Sequence, residues 1–157
     1  MTFDNPTGTR GGKVPNGLVM RLVNKTMVRK ARKSASASMG TMKILALTTV
    51  GAKSGQRRET PVGWFDGGDG TWLVVASANG AAKNPAWYHN IAAHPDDVTI
   101  EIGDRKVTVT ATQLHGEERE AALRSIVENS PRFGGYNDKT DREIPVIRLA
   151  PKSAPQA

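Results

Sequence analysis

MKILALTTVGAKSGQRRETPVGWF (residues 42–65) decides how the chain is read. Met42–Val50 is a short apolar run that ends in β-branched residues and stands between glycines, the pattern of a buried strand. Residues 60–65 predict the next strand, so GAKSGQRR (51–58) is the connection between the two. Gly51 and Gly55 permit close backbone approach or positive φ there. Lys53, Arg57 and Arg58 bring three cations to one edge of the sheet, beside the hydroxyl of Ser54. Such a loop can cradle a phosphate or several carboxylates, and it can equally be an ordinary basic surface loop.

Working outward, TWLVVA (71–76) follows DGGDG (66–70), a glycine-rich hairpin connection. VTIEI (98–102) and RKVTVTATQL (105–114) alternate around Gly103-Asp104, a second hairpin, and IPVIRLA (144–150) supplies a last strand. Asn84-Pro85 reads as an N-cap with proline at the first helical position, opening a short helix to about His94. Residues 117–129 predict another helix, with acids in its first turn where the dipole favours them. Antiparallel strands with a few inserted helices predict a β-rich α+β fold, a small β-barrel with helical additions.

Upstream, residues 1–13 are rich in Gly, Thr and Asn and read as an arm. From Pro15 to Lys33 the pattern is helical: Leu18, Val19, Leu22, Val23 and Met27 recur three and four apart, with Arg21, Lys25, Arg29 and Arg32 on the other side. A basic amphipathic helix of this kind lies on an anionic membrane or packs on its own domain. SASASMG (34–40) is a small-residue linker. The expected organisation is therefore an arm, helix and linker over 1–40 and a barrel over 41–157.

Charge divides along the same line. Residues 1–58 hold twelve Lys/Arg against Asp4 alone, whereas residues 59–157 hold ten against fourteen acids. A basic front end on an acidic body points to an anionic partner: nucleic acid, a lipid surface or a small molecule. At 157 residues with 38% hydrophobic content, the chain suits one core and is not a disordered tail. Without cysteine there is no disulfide framework, thiolate metal site or cysteine nucleophile. The N-terminus shows no apolar signal-peptide core and no stretch nears the ~18 apolar residues of a membrane span, so a cytoplasmic protein is expected.

Local motifs for self-contained catalysis are missing. Gly12-Lys13 is followed by Val14 instead of Ser or Thr, which breaks a phosphate-loop match. His89 and His94 are five apart and fall on different sides of a helix, so no metal site is expected. An enzyme of this composition would take its reactive atom from a cofactor. Trp64, Trp72, Trp87 and Tyr88 could stack a ring or fill the core. Tyr136, in PRFGGYNDKTDR (131–142), could serve a pocket or pack a lid on itself.

LTTVGAKSGQRRETP (47–61), VVASANGAAKNPAWYHNI (74–91) and TDREIPVIRLAP (140–151), in this order and spacing, resemble the deazaflavin-dependent nitroreductase family. This is the A-type branch of the flavin/deazaflavin oxidoreductases of mycobacteria and related actinobacteria. The resemblance covers about three-quarters of the chain. It implies a split β-barrel and binding of reduced coenzyme F420, a deazaflavin with a phosphodiester and a polyglutamate tail. It assigns cofactor binding to Lys53, Ser54, Gly55, Gln56, Arg58, Thr60, Pro61, Val75, Ala76, Ser77, Lys83, Asn84, Trp87 and Tyr88. It makes Ser77 and Tyr136 the catalytic candidates and places substrate beside Gly63, Ser130, Phe133 and Tyr136. Two departures stand out: Ala78-Asn79-Gly80 replaces the usual Lys-Gly-Gly, and Gly63 stands where relatives carry a large residue.

The activity implied is hydride transfer from the reduced deazaflavin to a small lipophilic acceptor: an activated alkene, a quinone or a nitro compound. The alternatives are an FMN-dependent reductase and a non-catalytic cofactor- or lipid-binding barrel. No nucleic-acid partner is expected, because the basic segment has few aromatics and no recognised motif. A monomer or weak homo-oligomer is expected, with peripheral contact at the inner face of the membrane through residues 15–33.

Overall fold

A computed structural model describes residues 3, 17–34, 36–39, 42–76, 84–129 and 144–152. Its elements are α1 (Gly17–Lys33), β1 (Ser38–Met39), β2 (Met42–Val50), β3 (Arg57–Gly68), β4 (Thr71–Val75), α2 (Ala86–Ala93), β5 (Val98–Ile102), β6 (Arg105–Gln113), α3 (Gly116–Asn129) and β7 (Val146–Pro151). The strands run in the order β1-β2-β3-β4-β7-β6-β5, and β5 pairs again with β2. That last pairing, from Ala46↔Glu101 to Thr48↔Thr99, closes six antiparallel strands into a barrel and leaves them without open edges. The barrel predicted from sequence is therefore the fold observed.

Alternation along each strand sorts the side chains into an inner and an outer set. Leu45 and Leu47 on β2, Val62 on β3, Trp72 and Val74 on β4, Val98 and Ile100 on β5, Val109 and Ala111 on β6, and Ile147 and Leu149 on β7 form one buried cluster. Trp87, Tyr88 and Ile91 of α2 join it, so Trp72, Trp87 and Tyr88 are core residues. The outer face of β4 and β7 buries Leu73 and Val146 with Ile126 of α3. The outer face of β2 buries Ile44 and Ala46 beneath Val28 and Ala31 of α1. Covered on both faces, β2 must be apolar at nearly every position, which is why it reads as a continuous run.

Four local expectations shift. The linker is not structureless: Ser38 and Met39 form β1, paired with Lys43 and Met42. Helix α2 begins one residue later than the Asn-Pro signal implied. Pro85 is its N-cap, in an extended conformation without a side-chain capping bond, and Asn84 is buried. The apolar stripe of α1 is rotated: Val28 and Ala31 are buried and Met27 half-buried, whereas Leu22 and Val23 are 64% and 44% exposed. Finally, within the arm read over 1–13, Phe3 is buried in the barrel cluster, its ring 5.8 Å from that of Tyr88 and edge-on to it.

The rotation of α1 has a cause distant in sequence. The guanidinium of Arg32 donates two hydrogen bonds of 3.0 Å to the carboxylate of Glu101 on β5 and forms an ion pair with Glu59 on β3. Glu101 and Glu59 lie opposite Ala46 and Thr48 of β2, so Arg32 bridges both neighbours of that strand on its outer face. Ala31 and Ala46 are small enough to let the helix backbone approach, and the Gly103 amide donates to the Ala31 carbonyl at 2.7 Å. A period search on residues 15–33 sees none of these partners.

Candidate functional site

The β2–β3 loop is built to hold its shape. The Gly51 amide donates to the Gln56 carbonyl (2.7 Å), and the Gly55 amide to the Gly51 carbonyl (2.9 Å). The Gln56 amide donates to Ser54 Oγ at 3.2 Å. Gly55 sits at φ +70°, a left-handed conformation that costs other residues energy. A Cβ at Gly51 would overlap Ser54 Oγ and crowd the Gln56 carbonyl oxygen at 3.3 Å, so a larger residue here must displace the Ser54 hydroxyl from its place in the loop.

Helix α2 fastens the loop from outside. Asn90 Oδ1 accepts a hydrogen bond from the Ala52 amide (3.0 Å), and Asn90 Nδ2 donates to Thr49 Oγ1 (3.2 Å). The amides of Gly51, Ala52, Gly55 and Gln56 are thus engaged inside the structure, with Ser54 Oγ turned back onto the loop. The exposed cations are Lys53 on the loop and Arg57 and Arg58, which open β3 instead of lying in the connection as the sequence implied. The four engaged amides leave a rigid platform bearing cations.

That platform forms one wall of an open cleft of about 1300 Å³. Lys53, Ser54, Arg57, Arg58 and Thr60 lie on one side; Trp87, His89 and Asn90 of α2 and Arg21, Lys25, Arg29 and Arg32 of α1 complete it. Among the described residues Glu59 is its one carboxylate, and it is paired with Arg32. The cleft exceeds the ~300–1,000 Å³ usual for a drug-sized ligand, and its charge calls for a long, multiply anionic molecule. A phosphodiester with a string of carboxylates fits this donor set; a single phosphate would leave most of the cations without a partner.

Among the sequence-predicted residues, Lys53, Ser54, Arg58, Thr60 and Trp87 are brought together here. Gly55 and Gln56 shape the loop behind them. Pro61 is half-buried opposite Ala46, and Gly63 pairs with Ile44, away from the cleft lining. Val75 packs towards α3, whereas Ala76 is buried in the barrel cluster, so these neighbours face opposite sides. Tyr88 Oη donates to Gln113 Oε1 at 2.6 Å inside the core. Trp64 is half-buried against the barrel cluster, with Lys43 Nζ 5.5 Å from its ring. Ser77, Lys83, Ser130, Phe133 and Tyr136 lie outside the described residues. No group of three metal-ligating side chains occurs among the described residues.

The sequence reading missed Asn90, His89 and the α1 cations as parts of the site. Asn90 had a signal, as the closing residue of NPAWYHN (84–90). The α1 cations had none, since their place beside the loop depends on contacts with β2 and β5.

Known proteins resemble this chain in sequence and in fold. A family model described as F420H2-dependent quinone reductase matches residues 19–151. A protein named F420H2-dependent quinone reductase from Mycobacterium tuberculosis is 40% identical over 108 residues, 67% of this chain and 71% of that protein. A solved F420-H2 dependent reductase (FDR-A) superposes with a TM-score of 0.61 at 41% identity, covering 68% of this chain and 92% of that one. A second solved structure, described as a domain-swapped dimer, gives a TM-score of 0.63 at 34% identity over 84% of this chain and 96% of its own.

Proposed function

The chain belongs to the F420H2-dependent quinone reductase family, and on that premise we propose that it binds reduced coenzyme F420 in the basic cleft and reduces a quinone-type acceptor. The observation that carries this reading is the cleft itself, whose cations outnumber its carboxylates on a rigid glycine-shaped loop. When bound, the reduced deazaflavin supplies a hydride to an electron-poor partner.

The protein's own residues then bind and orient. Lys53, Ser54 and Arg58 hold the anionic portion, with Gly55 and Gln56 keeping their loop in register. Thr60 and Trp87 extend the wall. Pro61, Val75, Ala76, Ser77, Lys83 and Asn84 follow the family positions beside the cofactor. Tyr88, its hydroxyl engaged by Gln113, acts as a positioning residue that fixes α2 against the barrel. Ser77 orients the ring or substrate by its hydroxyl, Tyr136 offers a proton, and Gly63, Ser130 and Phe133 border the acceptor. Holding two reactants in a fixed orientation supplies much of the acceleration such a site needs. Exposed Leu22 and Val23 on the cation-bearing helix support peripheral contact with an anionic membrane, where a lipophilic quinone resides.

Titration of the purified protein with F420 and with FMN, followed by fluorescence, tests the reading, with menadione then added to the reduced complex. Micromolar F420 binding, weaker FMN binding and oxidation on adding menadione are expected, and Arg58→Ala should weaken binding of F420. Absence of F420 binding would overturn the proposal. Tight binding without turnover of menadione or cyclohexenone would make the protein a cofactor carrier.

A further inference from the structure

Helix α1 carries no acidic residue. Arg21, Lys25 and Arg29 follow one another at intervals of four, an arrangement of like charges that disfavours a helix. Arg32 is neutralised by Glu59 and Glu101, but none of those three has a carboxylate partner among the described residues. All three line the same cleft as the Lys53–Arg58 platform. The apolar footing beneath them is narrow: Val28, Ala31 and half-buried Met27 against Ala37, Ile44 and Ala46.

A ridge of cations stepping by about 6 Å along a helix matches a ladder of anions better than a single phosphate. We propose that α1 is a ligand-dependent jaw: Arg21, Lys25 and Arg29 take the distal carboxylates of a polyanionic ligand whose phosphate end sits on residues 51–58, and this contact fixes the helix on the barrel. The inference rests on the F420 reading for the identity of that ligand, and it makes the three α1 residues selective for tail length. Physically, an anion placed on the ridge removes the repulsion between neighbouring cations and ties α1 to β2–β3, so binding and docking reinforce one another.

The test compares F420 lacking its glutamates with F420 carrying several, using wild type, the Lys25→Ala/Arg29→Ala double variant, and Lys30→Ala. Lys30 is on the same helix but outside the cleft lining, so its removal changes net charge alone. The readouts are Kd by fluorescence and amide hydrogen exchange over residues 24–33. Wild type should prefer the long tail by about tenfold, and the double variant should lose that preference, as two exposed charge contacts would dictate. Affinity for the tail-less form should stay within twofold in every variant, about the size of experimental scatter. The long tail should slow exchange in α1 of wild type, and Lys25→Arg/Arg29→Lys should restore both effects.

An unchanged tail preference in the double variant, or an equal loss in Lys30→Ala, would overturn the jaw. Should wild type bind neither form, the F420 reading fails. Inorganic triphosphate then decides the jaw by whether it protects the α1 amides.

Discussion

At the scale of single residues, the site depends on Asn90 and Gly51, neither of which carries charge. Asn90 ties α2 to both the Ala52 amide and Thr49 Oγ1, so one side chain sets where the loop sits against the cleft. Asn90→Ala removes both bonds and should destabilise the fold by about 1–2 kcal/mol. It should weaken F420 binding beyond that, because Lys53 and Arg58 are no longer held in place. At Gly51 the added methyl of Gly51→Ala must displace Ser54 Oγ, which also receives the Gln56 amide, with a cost of about 1–3 kcal/mol for overpacking. Denaturant unfolding and cofactor titration of the same variants separate the two effects. Wild-type affinity in a destabilised Asn90→Ala protein would contradict the role assigned to this contact. Glycine at 51 was legible in the sequence as a turn residue; that Ser54 and not a positive φ constrains it was not.

At the scale of elements, most strands were legible, β1 and the two ends of β3 excepted, and helix faces were not. β2 and β5 run over the residues that apolar runs and turn glycines marked, because those signals are local. The docked stripe of α1 is set by Arg32 reaching Glu101, 69 positions away, and by the close approach at Ala31 and Gly103, which no helical period contains. If this clasp orients the helix, Arg32→Ala and Glu101→Gln should each speed amide exchange in α1 while leaving the barrel amides unchanged. Their coupling in a double-mutant cycle should be about 1 kcal/mol, the upper end for a pair of which Arg32 is 36% and Glu101 19% exposed. Additive effects with no coupling would assign the orientation of α1 to its apolar contacts alone.

At the scale of the whole molecule, barrel closure and charge placement act together. Two of the pairings that close the barrel, β4–β7 and β2–β5, join strands distant in the chain, so the sequence predicted a barrel but could not order its staves; β2–β3, β3–β4, β5–β6 and β6–β7 join consecutive strands. Closure brings β5 alongside β2, and with it Glu101 under α1, so the basic helix lines the same cleft as the cation-bearing loop. No helix among the described residues is long and apolar enough to cross a bilayer, yet α1 presents Leu22 and Val23 to solvent beside its cations. Burying both side chains at a lipid interface, with cations near anionic headgroups, supplies the two signals that stable peripheral binding needs. Co-sedimentation with phosphatidylglycerol vesicles should therefore detect binding that weakens as salt is raised, since exposed charges are screened over about 10 Å at 0.1 M. Leu22→Ser/Val23→Ser should lower the partition coefficient by about tenfold or more, on the scale of transferring two aliphatic side chains, and F420 titration of the same variant reads what Leu22 adds to the cleft it lines. Vesicle binding indifferent to both salt and this double variant would remove the membrane from the account and leave α1 with a single task, at the cleft.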